Sequence, residues 1–433
     1  AHLFITTLRL VRHPATGEVV ATVAYGDADT ADEAVAAARA AHASGEWRST
    51  PPAERADILD AIADRLATRA GELTALAVGE NGATVRAAGA FLIGYAIAHL
   101  KYFASLARSY AFEQSGPLID APTLAAGVIR REPVGVCAGI IPWNFPLLLA
   151  VWKLGPALAA GNTIVLKPDD QTPLTLLELA RAADEAGLPR GVLNVVVGPG
   201  PEVGARLAEH PEVRKIAFTG STEVGKTVMR AAAGNVKKVT LELGGKGANI
   251  VCDDADLDLA VDGTLFGFLL MSGQACESGT LVHESIHDEF VQRLVARAAS
   301  IVVGDPRDPA TDIGPLVSDK QKARVEKYIA LGCEAGCTLA FQGSIPSDPA
   351  LADGHWVPPV ILTGATNDMR VAREEIFGRC SSSSRTPMTP RPSRSPTTAS
   401  TGCPPGCGAP TTSGRSRSPP NSRPARCGST TGT

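Results

Sequence analysis

The stretch PVGVCAGIIPWNFPLLLAVWKLGPALAAGNTIVLKP, residues 133–168, decides the architecture. Its apolar run from Val134 to Ile141 is short and closed by Pro142, the pattern of a strand buried on both faces. Leu147 to Ala160 then reads as a helix, and Thr163 to Leu166 as a second strand. Working outward, the alternation continues with a helix over Leu174 to Ala186 and a strand over Val192 to Val197. A helix from Glu202 and a strand from Lys215 to Phe218 come next. Repeated βα units of this kind predict an α/β fold, with a parallel sheet covered by helices. A second series opens with a strand at Ala248 to Cys252 and a helix from Leu257. Upstream, the pattern gives a strand near Val19 to Val23 and helices over Ala31 to Ala43 and Arg55 to Ala70. The mixed polar and apolar stretch from Gly116 to Arg131 is compatible with a hairpin.

A chain of 433 residues calls for two or three domains. No apolar run reaches membrane-spanning length, so no span is expected. Leu3-Phe4-Ile5 is too short for a signal-peptide core. The five cysteines before residue 379 are scattered, as free thiols in a reducing, cytoplasmic compartment would be. Cys333 and Cys337 read as helix positions and not as a zinc pair. The net charge of −4 hides two regions. Residues 379–433 hold eight arginines and no lysine, aspartate or glutamate; without them 33 basic residues face 45 acidic ones, a charge of −12. That acidic body offers no basic footprint for nucleic acid.

The ends of the expected strands gather polar and small residues where open α/β sheets bind ligands. Pro142-Trp143-Asn144-Phe145-Pro146 comes after the first strand, although Asn144 alone would be an ordinary turn residue. Lys167-Pro168-Asp169-Asp170 closes the second and pairs a cation with acids able to hold ribose hydroxyls. Gly198-Pro199-Gly200, with Gly204, lets backbone approach a ligand closely. Gly220-Ser221-Thr222-Glu223-Val224-Gly225-Lys226-Thr227 matches the phosphate-loop pattern GxxxxGK[ST], and Ile250-Val251-Cys252-Asp253 could supply the aspartate of an ATPase. The same octet also reads as a plain strand–turn–helix junction, or as a helix N-terminus meeting a dinucleotide pyrophosphate. Finally, Cys276 in Gly273-Gln274-Ala275-Cys276 lies 34 residues after Glu242 in Leu241-Glu242-Leu243-Gly244-Gly245. Alone, the first is a small core hydrophobe and the second a turn residue. Together they are a soft nucleophile and a carboxylate base, the groups that form a thioester and hydrolyse it. A phosphate-loop NTPase needs neither.

Five segments in order make the chain resemble the NAD(P)-dependent aldehyde dehydrogenases: Pro142 to Pro146, Phe218 to Thr222, Leu241 to Lys246, Gly273 to Cys276, and Glu374-Glu375-Ile376-Phe377-Gly378. The likeness spans about residues 14–378. It implies a Rossmann-like cofactor domain (1–115 and 133–244), an oligomerisation hairpin (116–132) and a second α/β catalytic domain (245–378). By the same resemblance Cys276 is the nucleophile, Glu242 the base that activates water, and Asn144 an oxyanion donor beside the Cys276 N–H. Lys167 and Asp170 would hold the adenosine ribose. Trp143, Ser221 and Gly225, with Gly220, Gly200 and Gly204 nearby, would flank the pyrophosphate. Glu375 and Phe377 would hold the nicotinamide ribose and ring. An acid at position 170 repels a 2′-phosphate, which favours NAD over NADP. The family also implies an aldehyde substrate, no metal, and a homodimer or homotetramer.

Two departures stand out. About two residues that the family carries after Thr280 are missing, which shortens the connection beyond Cys276. From Arg379 onward there is no Leu, Ile, Val, Phe, Tyr or Trp, and Ser, Thr, Pro and Arg dominate. Such a segment is expected to be disordered. Codons for Thr398 to Gly408, read one nucleotide earlier, permit Ser-Glu-Tyr-Gly-Leu-Ser-Ala-Gly-Val-Trp, and those for Cys427 to Thr431 permit Trp-Val-Asn-Asp. Both resemble stretches that the family carries downstream, so a base lost or gained near codon 378 is expected. The residues before Val11 also look truncated or altered. A nucleotide-binding NTPase and a catalytically inactive remnant are the alternatives.

Overall fold

The computed structural model describes residues 7–386. Two five-stranded sheets carry the molecule. The first contains β5 (Val136–Ile140), β6 (Thr163–Lys167), β7 (Leu193–Val195), β8 (Val213–Gly220) and β9 (Lys238–Leu243), in the order β7-β6-β5-β8-β9 and parallel throughout. Its strands are apolar on both faces because helices cover both. Cys137, Ile164 and Leu166 pack with helices such as Pro52–Thr68 and Pro146–Ala159, while Val136, Ala138 and Val165 pack with Ala28–Ser44 and Thr222–Ala232. The strand order reverses at β5, so the crevice at the C-terminal ends of β5, β6 and β8 is the place where such sheets bind ligands. The strand and helix expectations for this half are met. β7 is shorter than Val192 to Val197, and the helix expected from Glu202 begins as a wide turn over Gly200–Gly204 before Ala205–Glu209.

The second sheet runs β10 (Gly247–Val251), β11 (Glu277–His283), β14 (Cys380–Thr386), β13 (Val360–Thr363), β12 (Thr338–Gln342), with only the β12 edge antiparallel. Two small antiparallel pairs complete the sheets: β1 (Thr7–Arg12) with β2 (Val19–Tyr25), and a hairpin of β3 (Glu113–Ile119) with β4 (Ala125–Arg130). The hairpin leaves Leu118, Leu124 and Val128 largely exposed.

Two expectations need correction, and one helix bears on the expected absence of a membrane span. Arg379 to Thr386 is not disordered; Cys380–Thr386 is the middle strand of the second sheet, paired to β11 on one side and β13 on the other. Ladder bonds are made by backbone, so a slot open on both sides admits a Ser-rich segment that propensity would exclude. The remainder of the tail, 387–433, lies outside the described residues. Cys337 is also not on a helix. The helix Asp319–Glu334 holds Cys333 but ends at Gly336, whose φ of +97° terminates it, and Cys337 leads into β12. Finally, the helical run Val85–Ser109 is long and apolar enough to cross a bilayer by length and composition. Leu92, Leu100 and Ala104 on it are buried in the core, however, and Arg86, Lys101 and Arg108 along it pair with Asp312, Asp64 and Asp57.

Candidate active site

The helix Leu257–Leu269 gives way to a turn in which Met271, Ser272 and Gly273 are all left-handed, at φ +51°, +61° and +76°. Two of these are not glycine, each at a cost of roughly 1–2 kcal/mol, so the turn must be held by its surroundings. Gly273 has no alternative, because a Cβ there would sit 2.5 Å from the Gly378 carbonyl carbon. Gln274 is buried and anchors the segment leading to Cys276. Its carbonyl accepts from Asn144 Nδ2 at 2.9 Å, its Oε1 accepts from the Val317 N–H at 3.0 Å, and its Nε2 donates to the Met271 carbonyl at 2.9 Å. Cys276 then emerges exposed, immediately before β11. The register of β11 against β10 slips by one residue between Glu277 and Gly279, so a bulge lies directly after the cysteine.

Asn144 is itself buried, and Asn81 Nδ2 holds its turn through a 2.6 Å bond to the Trp143 carbonyl. Since an amide nitrogen carries two protons and one goes to Gln274, the second can serve a developing oxyanion. Glu242 lies near the end of β9, exposed and opposite Thr219 of β8. Five residues on, Gly247 pairs with Glu277, the neighbour of Cys276. The link Gly244 to Lys246 therefore carries the chain from the first sheet, where Glu242 lies, to the second, which β11 joins directly after Cys276. Lys153, which the sequence patterns missed, sits on the helix that starts at Pro146 and donates to Thr219 Oγ1 at 2.7 Å. Burial pulls its ammonium down to about 8, and the charge of Glu242 works against that fall.

The residues expected to hold a dinucleotide lie at or after the ends of β5, β6, β7 and β8 and in the segment Glu375 to Phe377. Lys167 Nζ, buried at the end of β6, bonds Asp170 Oδ1 at 3.0 Å. Ser221 caps the helix Thr222–Ala232 by accepting from the Val224 N–H, leaving the helix N-terminus at the end of β8 for an anion. Gly220 accommodates the Phe218 ring, and Gly225 lets Leu243 approach to 2.5 Å from where a Cβ would stand. Gly200 borders open space and Gly204 only touches Ile140, so packing requires neither to be glycine. The Trp143 and Phe377 rings meet edge to face at 5.3 Å. Phe377 has φ +63°, held by Gln321 Nε2 on its carbonyl and Arg324 Nε on that of Ile376. Glu375 points at the Gly244–Gly245 backbone, where burial pushes its carboxyl above the usual range.

The phosphate-loop reading does not survive this geometry. Only Ser221 separates β8 from its helix, so the amides that would cradle a phosphate are spent inside the helix, as with Gly225 N–H to Ser221. Ile250 and Val251 belong to the other sheet, which removes the adjacent-strand aspartate.

The Aldehyde dehydrogenase family model matches residues 6–382. The chain belongs to the aldehyde dehydrogenase family. Betaine aldehyde dehydrogenase of Bacillus subtilis (strain 168) is 44% identical over 374 residues, which is 86% of this chain and 75% of that one. The mitochondrial aldehyde dehydrogenase of Homo sapiens is 44% identical over 370 residues, 84% of this chain and 70% of its own. A betaine aldehyde dehydrogenase from Staphylococcus aureus, solved in complex with NAD+, superposes with a TM-score of 0.84 at 37% identity, over 88% of this chain and 76% of that one. The chain is thus an NAD(P)-dependent aldehyde dehydrogenase by family, and the family match begins a little earlier than residue 14 and runs past Arg379 to 382.

Proposed function

We propose that this aldehyde dehydrogenase oxidises an aldehyde to a carboxylic acid with NAD, through a thioester on Cys276. The supporting observation is the bond from Asn144 Nδ2 to the carbonyl of Gln274, which ties an amide donor to the strained turn presenting the exposed cysteine. The Cys276 thiolate adds to the aldehyde carbon, and the oxyanion accepts from the second Asn144 proton and the Cys276 N–H, each worth about 3 kcal/mol of barrier. Bound NAD supplies the hydride acceptor that converts the adduct to a thioester. Glu242 takes a proton from water to hydrolyse it.

Lys167 and Asp170 hold the adenosine ribose, Ser221 with Trp143 and Gly225 the pyrophosphate, and Glu375 and Phe377 the nicotinamide end. The relative solved with NAD+ supports NAD over NADP. Phe266 and Met271 border a cavity of about 600 Å³ along with Phe91 and Leu270, and Arg86, Asp262, Arg297 and Asp312 also line it. The domain division at 115, 132, 244 and 378, a cytoplasmic location, and assembly through the exposed hairpin into a dimer or tetramer belong to the same reading. So does a change of reading frame at codon 378, supported by a buried Arg379 and four serines where a central strand should be apolar. Resequencing the DNA tests the frame; an unbroken frame encoding this tail rejects it.

Rapid mixing with NAD and an aldehyde series tests the chemistry. A burst of NADH, absent in Cys276→Ala, is expected. NAD binding without a burst would instead mark an inactive remnant, and ATP binding tighter than NAD would overturn the dehydrogenase reading.

A further inference from the structure

Tyr25 belongs to none of the sequence motifs, yet its hydroxyl donates to Asp170 Oδ2 at 2.5 Å across 145 positions of sequence. The other carboxylate oxygen, Oδ1, accepts from Lys167 Nζ at 3.0 Å, and that ammonium also donates to the Pro168 carbonyl at 2.8 Å. Asp170 is therefore gripped on both oxygens. Each grip is in turn fixed. Lys167 is only 4% exposed at the end of β6. Tyr25 ends β2, with the Arg9 guanidinium 6.0 Å from its ring centroid. The next residue, Gly26, donates its N–H to the Val197 carbonyl at 2.8 Å, and a Cβ on Gly198 would stand 2.5 Å from the Gly26 carbonyl oxygen. That close fit ties the end of β2 to the segment after β7.

A carboxylate with one donor on each oxygen keeps a further acceptor site on each. Two acceptors on a fixed plane suit the two hydroxyls of a ribose 2′,3′-diol. A 2′-phosphate offers no such donor pair and brings a charge of about −1.5 to −2. A carboxylate held only by Lys167 could rotate away from that charge; one held on both oxygens cannot.

We propose that Tyr25 is a specificity-determining residue, which clamps Asp170 so that the crevice takes the 2′,3′-diol of NAD and rejects the 2′-phosphate of NADP. The inference rests on the dinucleotide reading of the crevice. Titration calorimetry of NAD and NADP against the full chain, as wild type, Tyr25→Phe, Asp170→Asn and the double variant, tests it without requiring turnover. Tyr25→Phe should weaken NAD by about tenfold, because a carboxylate freed on one oxygen must be ordered again to meet the diol, while NADP binding holds or tightens. With Asp170→Asn already present, Tyr25→Phe should change neither affinity by more than about twofold, because the two residues act as one unit. A parallel loss of NAD and NADP affinity, or an equal loss in the Asp170→Asn background, would show a merely structural tyrosine and overturn the proposal. Wild type that binds neither nucleotide would remove the dinucleotide reading, and this inference with it.

Discussion

Arg379 enters β14 with its side chain at 0% exposure and, among the described residues, no carboxylate paired with it. Its Nη1 donates to the Val357 carbonyl at 2.8 Å and its Nη2 to Ser272 Oγ at 3.3 Å, while Nε has no partner among the described residues. Burial pulls the guanidinium far below its ordinary value, down to about 9. At about 1.4 kcal/mol per tenfold change, that corresponds to roughly 5 kcal/mol of lost solvation. The two hydrogen bonds return about 1 kcal/mol each, and the Trp356 ring 6.0 Å away adds about 0.5. Arg379→Met, which fills similar space without charge, is thus expected to stabilise the protein by about 1–3 kcal/mol, as when apolar residues replace buried ions elsewhere. Guanidinium chloride unfolding monitored by tryptophan fluorescence reads this as a higher midpoint at unchanged slope. The sign with pH is fixed as well. A base whose folded pKa is depressed makes the unfolded chain bind more protons from about pH 9 upward, so wild-type stability rises with pH there and the advantage of the variant shrinks above pH 9. A lower midpoint for Arg379→Met at neutral pH would refute the reasoning, since the polar contacts of the arginine would then outweigh its desolvation.

Gly273→Ala forces a Cβ into the Gly378 backbone at a φ of +76°. It should cost about 3 kcal/mol or more and slow iodoacetamide labelling of Cys276; wild-type labelling and stability would contradict it. Asn144→Ala should lower the rate of the NADH burst by about 10²–10³ with NAD affinity within about twofold, and an unchanged burst would remove Asn144 from the oxyanion site. Glu80 is fully buried and accepts from the Leu174 and Thr175 N–H groups and Thr175 Oγ1 at the start of the helix Leu174–Glu185. Burial pushes its carboxyl from 4.5 up to about 7, so its stabilising contribution is full below pH 4.5 and is lost as pH rises towards 7. Glu80→Gln should therefore gain on wild type by up to about 3 kcal/mol between pH 4.5 and 8, and a gap that stays constant with pH would count against this.

The first sheet was legible because strands covered on both faces become unbroken apolar runs closed by Pro or Gly, as in Val134 to Pro142. β14 was not legible. Ser381 to Ser384 carry no strand signal, and only the slot between β11 and β13 makes them a strand, a property of the assembled sheet. The proposed reactive residues could be read because Cys276, Glu242 and Asn144 each lie close to glycines or prolines at the end of an element. Their supports could not. Asn81, Lys153, Gln321, Arg324 and Tyr25 reach their partners across 52 to 145 positions of chain, and nothing local marks them. The GxxxxGK[ST] octet misled for the complementary reason. Its letters are right, but the phosphate cradle needs a loop, and β8 runs to Gly220 with the helix starting at Thr222.

The place where the sequence departs from its family matters more than the length of the departure. The cores around the first sheet draw on residues up to Met271 and, among the described residues, include none beyond Gly378, so the crevice at the ends of β5, β6 and β8 is built almost independently of the altered tail. The nucleophile turn is not. Gly273 rests on the carbonyl of Gly378, Ser272 Oγ receives Arg379, and β11, which begins just after Cys276, pairs with the serines of β14. Those serines answer with weak contacts, such as Ser382 Oγ to the Val371 carbonyl at 3.3 Å and Ser383 Oγ beside His287 Nε2 at 3.5 Å, where a parallel sheet ordinarily packs branched apolar side chains. A displacement of about 1 Å at a nucleophile can cost 100-fold in rate, whereas the same shift in that sheet leaves the Lys167–Asp170 crevice untouched. Under the proposed mechanism the two functions therefore fail separately: binding depends on residues before the junction, and turnover on how well β14 holds the turn that presents Cys276.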